Sequence, residues 1–455
     1  MMPAGLPSGE IAVLGLARSG TAVAKLLLQA GHRVYASDGG DSTPVRENGN
    51  SLRSLGARVD TGAHDLGRLE RASMVVVSPG IEPSAAPVAV ARRAGVPVVS
   101  EIEIALKFMP RARVIAVTGT NGKTTTTALI GHLLRGMGQN AVDAGNIGTP
   151  LSEVAMRTEP AEWISLEMSS FQLHDTPGLA PVVGVLTNLT PDHLDRYQTA
   201  ADYYADKSRL FANATDESKW VVNADDERVL EMTNDVRGAK YGFSTRSRAH
   251  AWFDSGSSLR VLDETLIDRG ELNLLGDHNV ANALAAALAI SVADERFRTE
   301  AARMSMGKAM RTFNALAHRL ELVGEFGGVQ WINDSKATNV SSTLVAVEGM
   351  RRPTILLIGG RHKGEPYTAL AGAVERNVRT VIAYGEAAPI IETDLGKTAT
   401  VETMGKDFEA VMRRARELAK PGDAVLMSPA CSSFDMFSNY EERGTRFRHL
   451  AGAAA

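Results

Sequence analysis

A chain of 455 residues with 44% hydrophobic and 22% charged residues reads as ordinary soluble globular protein, and at roughly 150 residues per domain it predicts about three domains rather than one core. Cys431 is the only cysteine, so no intrachain disulfide and no cysteine-rich metal site can be built. A net charge of -4 without long basic runs argues against a nucleic-acid partner, no apolar run reaches about 18 residues, and Met1-Met2-Pro3-Ala4-Gly5 lacks the layout of a secretory signal, so no membrane span and a cytoplasmic location are expected.

In chain order, a strand over 11–14 runs into Gly15-Leu-Ala-Arg-Ser-Gly20 and then an apolar helix to Ala30, closed by Gly31. A strand over 33–36 and Asp38 follow, the spacing of a dinucleotide-binding turn with its acidic partner about 20 residues on. Ala17 stands where the middle glycine of that turn lets backbone meet pyrophosphate, so a full dinucleotide fits poorly. Strands over 74–77 and 96–99 continue a parallel-sheet pattern, the first ending in Ser78-Pro79-Gly80. A nicotinamide-dependent oxidoreductase would rest on this block alone.

Met109-Pro110 breaks the pattern, and Val114-Ile-Ala-Val-Thr118-Gly-Thr-Asn-Gly-Lys-Thr-Thr125 opens a second block. It reads as a buried strand, a glycine-rich turn and a helix start, with Leu129, Ile130, Leu133, Leu134 and Met137 at helical spacing behind. Gly119 and Gly122 let backbone N–H groups approach an anion, Thr120, Asn121 and Thr125 flank it, Lys123 would meet the outer phosphates, and Thr124 would offer a hydroxyl to magnesium. Val117 occupies the position where the common phosphate loop has its first glycine. Strands over 140–142, 163–166 and 182–186 end in Asn146, in Glu167 with Ser169 and Ser170, and in Asn188 with Asp192 and His193. A doubly wound sheet assembles its site from such strand ends. Glu167 is a candidate magnesium ligand, and His193 could join a second metal or orient an acceptor. Helices over 200–213 and 278–290 carry Lys207, and Asn279 with Asn282.

The third block has strands over 329–332, 355–358, 381–383 and 424–427. Polar clusters follow them: Asn333-Asp334-Ser335-Lys336, Gly359-Gly-Arg-His-Lys363 and Ser428-Pro-Ala-Cys-Ser-Ser433. Asp334, Lys336, Lys363 and Arg319 read together as groups that handle a nucleotide and a carboxylate, with outer domains delivering ligands to a water-excluding centre.

Thr118-Gly-Thr-Asn-Gly-Lys-Thr124, Glu167-Met-Ser-Ser-Phe-Gln-Leu173, Asn188-Leu-Thr-Pro-Asp-His-Leu-Asp-Arg-Tyr197, Gly276-Asp-His-Asn279 and His318-Arg319 resemble, in this order, the motifs of the Mur ligases. Those ATP-dependent enzymes join an amino acid to the peptidoglycan precursor, and their loop also lacks the first glycine. Asn333-Asp-Ser-Lys-Ala-Thr-Asn339 and Ser428-Pro-Ala-Cys-Ser-Ser-Phe-Asp-Met-Phe437 are most similar to the members that add D-glutamate.

The resemblance implies an α/β chain of three domains. A Rossmann-like domain over 1–108 would bind the uridine nucleotide, a central P-loop ATPase-like domain with a mainly parallel sheet would span 109–315, and a Rossmann-like α/β domain over 316–455 would bind the amino acid. It implies ATP, UDP-N-acetylmuramoyl-L-alanine and D-glutamate as substrates of a monomeric enzyme, passing through an acyl phosphate and a tetrahedral intermediate. Two magnesium sites would follow, Thr124 with Glu167, and His193 with a carbamylated Lys207. Leu16, Ala17, Arg18 and Ser78 would meet the uridine diphosphate, and Asn146 the muramoyl group. Asn279, Asn282, Arg319, Asp334 and Lys336 would serve ATP, while His193, Thr338, Lys363, Ser433 and Tyr440 would receive D-glutamate. Tyr440 stands where phenylalanine is frequent, and the Arg361-His362-Lys363 stretch also departs from the family pattern.

Overall fold

Short runs of valine, isoleucine and alanine become buried parallel strands wherever helices cover both faces of a sheet. A computed structural model describes residues 5–146, 148–192, 196–254 and 257–452. They form three sheets and divide into two units: Met1–Pro191 with Arg196–Arg269 and Asn282–Arg311, and Asp192–Asp195 with Gly270–Ala281 and Thr312–Ala455. His193 lies outside the described residues. Among the described residues no helix is long and apolar enough to cross a membrane.

In the first unit, β1 (Ile11–Leu14), β2 (Val34–Asp38), β3 (Arg58–Thr61), β4 (Met74–Val77) and β5 (Val98–Ser100) make a parallel sheet ordered β3-β2-β1-β4-β5. Every residue of β1 and β4 is buried, as their unbroken apolar runs require. β3 escapes a hydrophobicity reading because only Val59 of its four residues is buried at this sheet edge. β5 begins two residues later than expected, since Pro97 has no N–H for the ladder and contributes only its carbonyl, to Val75 N. The helix Arg18–Gln29 starts inside the glycine turn.

The second sheet of this unit holds β6 (Arg113–Thr118), β7 (Ala141–Gly145), β8 (Trp163–Glu167), β9 (Val183–Leu186), β10 (Lys219–Asn223), β11 (Ala239–Ser244), β12 (Ala251–Phe253), β13 (Ser258–Val261) and β14 (Glu264–Asp268). Its order is β14-β13-β12-β11-β10-β9-β6-β8-β7, parallel from β7 through β12, with β13 and β14 added antiparallel. Val117 and Gly145 are both in register with Glu167, and Thr118 with Leu186, so four loops leave the sheet at one edge.

The second unit carries β15 (Glu321–Phe326), β16 (Val329–Asn333), β17 (Thr354–Gly359), β18 (Val378–Tyr384), β19 (Val401–Thr403) and β20 (Ala424–Met427), ordered β15-β16-β20-β17-β18-β19 with only β15 antiparallel. Because β16, β20 and β17 are neighbours, the three polar clusters of the third block emerge side by side.

Within the first unit, Glu101 opens the helix Glu101–Phe108 and is buried, its Oε1 accepting a 2.5 Å hydrogen bond from Ser152 N in the helix Leu151–Ala155. That helix follows the Asn146 segment, so Glu101 anchors it to the first sheet's own helix. Burial pushes the Glu101 carboxyl from 4.5 up to about 6, against the pull of the Ser152 hydrogen bonds. With the folded value raised, its contribution to stability is full below pH 4.5 and is lost as the pH rises through 6. Glu101→Gln keeps an acceptor for Ser152 without the charge. Relative to the unsubstituted chain its stability should therefore rise by about 2 kcal/mol between acid and mildly alkaline pH. Urea denaturation at the two extremes measures this, and a constant difference contradicts it.

Candidate active site

The turn after β6 is shaped by two glycines, Gly119 at φ 142° and Gly122 at φ 81°. A Cβ on Gly119 would lie 2.0 Å from Thr187 Oγ1, and one on Gly122 would lie 2.3 Å from Asn282 Oδ1. The residues just after β9 clamp the turn: Asn188 Oδ1 accepts from Asn121 N at 2.8 Å, Asn188 Nδ2 donates to Asn121 O at 3.0 Å, and Thr187 Oγ1 donates to the same carbonyl at 2.6 Å. Thr120 N donates to Asn188 O, and Thr120 Oγ1 donates to Thr190 O. The helix Lys123–Gly136 starts directly on the turn, so its positive end and first-turn N–H groups lie where they can meet an anion. Lys123 Nζ lies over the turn, donating to Gly119 O at 3.0 Å and Thr120 O at 2.7 Å. Thr124 and Thr125 are in the first helical turn, and Thr126 Oγ1 donates to Asn282 Oδ1, which places Asn282 behind the loop.

Glu167 ends β8 and is buried. Its Oε1 accepts from Asn146 Nδ2 at 2.8 Å, and its Oε2, also buried, has no hydrogen-bond partner among the described residues. Lys207, in the helix Ala200–Ser208, is 1% exposed. Its Nζ donates to Gly119 O at 2.7 Å and sits 4.5 Å from the Tyr203 ring centre. The structure thus brings Lys123, Lys207 and the loop together through one carbonyl, and Asn146 and Glu167 through one hydrogen bond.

At the edge of the first sheet Ser78 is buried and its Oγ donates to Gly15 O at 3.3 Å. Leu16 has a buried side chain, its N–H donates to Asp38 Oδ2 at 2.7 Å, and its carbonyl accepts from Asn48 Nδ2 and Thr21 Oγ1. Asp38 Oδ1 takes Gly40 N. The acidic partner of the supposed dinucleotide turn is therefore engaged in holding that turn. Ala17 precedes the helix as its cap, and Arg18 is largely exposed, with Nε 3.8 Å from Glu153.

In the second unit Asp334 is buried after β16, accepting from Ser428 Oγ at 2.8 Å and Leu320 N at 3.2 Å. Burial raises its carboxyl from 3.8 to about 7, opposed by those two donors and by Arg319. Lys336 Nζ stands 3.8 Å from the Tyr440 ring centre. Lys363 Nζ donates to Thr338 Oγ1 at 3.4 Å. Arg361 and Ser432 exchange backbone hydrogen bonds, which pins the Lys363 loop to the loop carrying buried Ser433. Asn279 is buried, donating to Leu275 O.

Sequence reasoning missed the groups that build these loops. Arg443 is fully buried and donates to Ser335 O and Oγ, Cys431 O and Gly359 O, joining the ends of all three neighbouring strands. Asn333 Nδ2 contacts His318 Nδ1, Glu321 Oε2 and Gly444 O. A charged residue in Tyr440-Glu-Glu-Arg443 carries no local sign of burial; only its register on the C-terminal helix reveals it.

A methyl group at position 119 would meet the clamp and force a strained backbone, at a cost on the order of 1–3 kcal/mol. Gly119→Ala should lower the melting temperature and weaken ADP binding at least tenfold, read by calorimetry and by titration with a fluorescent ADP analogue. Wild-type nucleotide affinity would contradict the loop assignment.

Three family models match in chain order: the Mur ligase MurD-like N-terminal domain over residues 9–100, the Mur ligase middle domain over 117–290, and the Mur ligase glutamate ligase domain over 318–431. The chain is 40% identical over 453 residues to the UDP-N-acetylmuramoylalanine–D-glutamate ligase of Salinibacter ruber, covering 96% of each. It is 37% identical over 447 residues to that of Pelotomaculum thermopropionicum, covering 97% of each. Among solved structures, MurF from Acinetobacter baumannii matches with TM-score 0.62 at 16% identity, over 93% of this chain and 90% of that one. A pseudomurein peptide ligase type C from Methanothermus fervidus matches with TM-score 0.61 at 20% identity, over 98% and 100%. These two likenesses bear on the fold. With family models along most of its length and full-length relatives near 40% identity, the chain belongs to the Mur ligase family, on its D-glutamate-adding branch.

Proposed function

We propose that this chain joins D-glutamate to UDP-N-acetylmuramoyl-L-alanine with ATP, releasing ADP and phosphate, in cytoplasmic peptidoglycan precursor synthesis. The full-length similarity to D-glutamate ligases carries this reading. The clamped loop with Lys123, and Glu167 at the adjoining strand end, supply the matching chemistry. We assign residues 1–108 to the uridine nucleotide, 109–315 to ATP and 316–455 to the amino acid, in a monomer.

A carboxylate is a poor electrophile at neutral pH, so the terminal carboxylate of the muramoyl substrate attacks the γ-phosphorus of ATP and ADP leaves. The amine of D-glutamate then attacks the acyl phosphate carbon. The tetrahedral intermediate expels phosphate, and the amine loses its proton. Lys123 and the first-turn N–H groups of its helix stabilise charge on the transferring phosphoryl oxygens. Asn146 orients the muramoyl group, and Leu16, Ala17, Arg18 and Ser78 form the uridine-diphosphate site. Leu16 can contribute there only through its immediate surroundings, since its N–H and carbonyl are engaged. Asn279, Asn282, Arg319, Asp334 and Lys336 hold ATP, and Thr338, Lys363, Ser433, Tyr440 and His193 hold D-glutamate.

Magnesium fits the donor set, because Glu167 presents a buried carboxylate oxygen without a partner among the described residues and Thr124 is a second hard oxygen ligand. His193 and a carbamylated Lys207 would hold a second ion; carbamylation turns a buried cation into an oxygen-bearing anion. Bound magnesium supplies positive charge that offsets the phosphate oxygens.

Phosphate release from ATP with UDP-N-acetylmuramoyl-L-alanine should require D-glutamate. Release with a different amino acid and none with D-glutamate would overturn the specificity. Lys363→Ala should raise the KM for D-glutamate about 10–100-fold, the loss of one charge-assisted carboxylate contact, with the KM for ATP nearly unchanged.

A further inference from the structure

Lys207 and Glu167 reach the loop from different segments, and something must fix their separation. Consecutive residues of a helix project about 100° apart. The Lys207 contact with Gly119 O and that of Tyr203 OH with Thr120 Oγ1, one turn earlier on the same face, tie the helix Ala200–Ser208 to the loop along one side only. The neighbouring residue, Asp206, ties it from a different direction. It is buried, and its Oδ1 accepts from His174 Nδ1 at 2.7 Å and from Arg209 Nε at 3.1 Å, while its Oδ2 accepts from Tyr197 OH at 3.0 Å.

His174 ends the helix Ser170–His174, whose other end is set by the capping box of Ser169 and Gln172, two residues beyond Glu167. Met168 between them is buried, with its N–H on Val117 O and its carbonyl on Thr118 Oγ1. From Glu167 to His174 the chain is thus fastened to β6 and capped. The contacts close a ring: β6 to Glu167, along to His174, across to Asp206, and through Lys207 back to Gly119 at the end of β6. His174 to Asp206 is the link of that ring made by side chains that touch neither the loop nor the metal candidates. Beyond it, Asp175 accepts from Arg92 Nη2 at 2.7 Å and its carbonyl accepts from Ser100 N, so the same short helix is also tied to the first sheet's elements.

We propose that His174 and Asp206 are a positioning pair that blocks rotation of the Lys207 helix and so sets Lys207 relative to Glu167 for metal and phosphate. This rests on the ligase reading above. The pair acts through Lys207 and not on substrate. Groups that orient metal ligands in this way are worth about 10–100-fold in metal affinity or activity.

The test is Mn2+ binding in the presence of ADP, followed by electron paramagnetic resonance, alongside the magnesium dependence of phosphate release. His174→Ala should weaken Mn2+ binding and raise the half-saturating magnesium concentration at least about tenfold, with the KM for the muramoyl nucleotide within about twofold. His174→Asn, whose amide N–H replaces the Nδ1 donor, should restore both. Asp206→Ala should be impaired, and the double variant His174→Ala/Asp206→Ala no worse than Asp206→Ala, because the two act through one contact. Unchanged Mn2+ affinity in His174→Ala overturns the positioning pair while leaving the ligase reading intact. So does His174→Asn as impaired as His174→Ala, or an additive double variant. Failure of the unsubstituted chain to bind Mn2+ with ADP overturns the metal reading itself, and the pair with it.

Discussion

The backbone at Gly119 and at Gly122 holds a conformation that other residues adopt only with strain, and the turn after β6 depends on it. Such a turn does not hold itself. Its geometry comes from Thr187 and Asn188 beyond the end of β9, which bind Asn121 on both its N–H and its carbonyl, and bind Thr120 N as well. Each bond contributes about 1 kcal/mol net, and several together exceed the backbone cost of a left-handed turn. Because β9 lies beside β6 in the sheet, the parallel order is what delivers the clamp. A rigid loop can then present N–H groups and Lys123 to phosphate without reorganising, which is the condition for electrostatic stabilisation to favour a transition state.

Buried charge separates scaffold from chemistry. Arg443 spends its donors on backbone carbonyls and one hydroxyl, and so welds three strand ends without offering anything to a ligand. Asp334 accepts two hydrogen bonds yet remains costly to ionise, so its proton is held to about pH 7. Glu167 differs from both. Asn146 satisfies one oxygen and the other is buried without a partner among the described residues, a cost of a few kcal/mol for a carboxylate.

What the sequence made legible follows a physical rule. The loop from Thr118 to Thr124, the strands over 11–14, 74–77 and 424–427, and Glu167 were readable because each is a local pattern: a glycine spacing, an unbroken apolar run, a carboxylate at a strand end. The edge strand β3 and the strands β12 to β14 at one side of the second sheet were not. Each is short and buries no more than two residues, and none shows the unbroken apolar run of β1 or β4. Arg443 shows the same limit, as do the inward hydrogen bonds of Asn188 and Asn333, two residues the sequence places at strand ends without showing what they hold. Their residue types are common at surfaces, and only the tertiary fold turns them inward. Residues in local motifs were thus easier to read than the residues that hold those motifs in place.

The first sheet shows how little the glycine spacing alone decides. Gly15 and Gly20 match a dinucleotide turn, but here they are demanded by close packing: a Cβ on Gly20 would lie 1.8 Å from Gly15 O, and one on Gly15 would meet Ser78 Oγ at 2.8 Å. Asp38, at the position that would hold a ribose hydroxyl, spends its two oxygens on Leu16 N and Gly40 N. With that carboxylate occupied and no glycine at position 17, the turn lacks the usual pyrophosphate grip. Two strand-turn-helix units of one chain thus differ in which polar atoms the fold has already used.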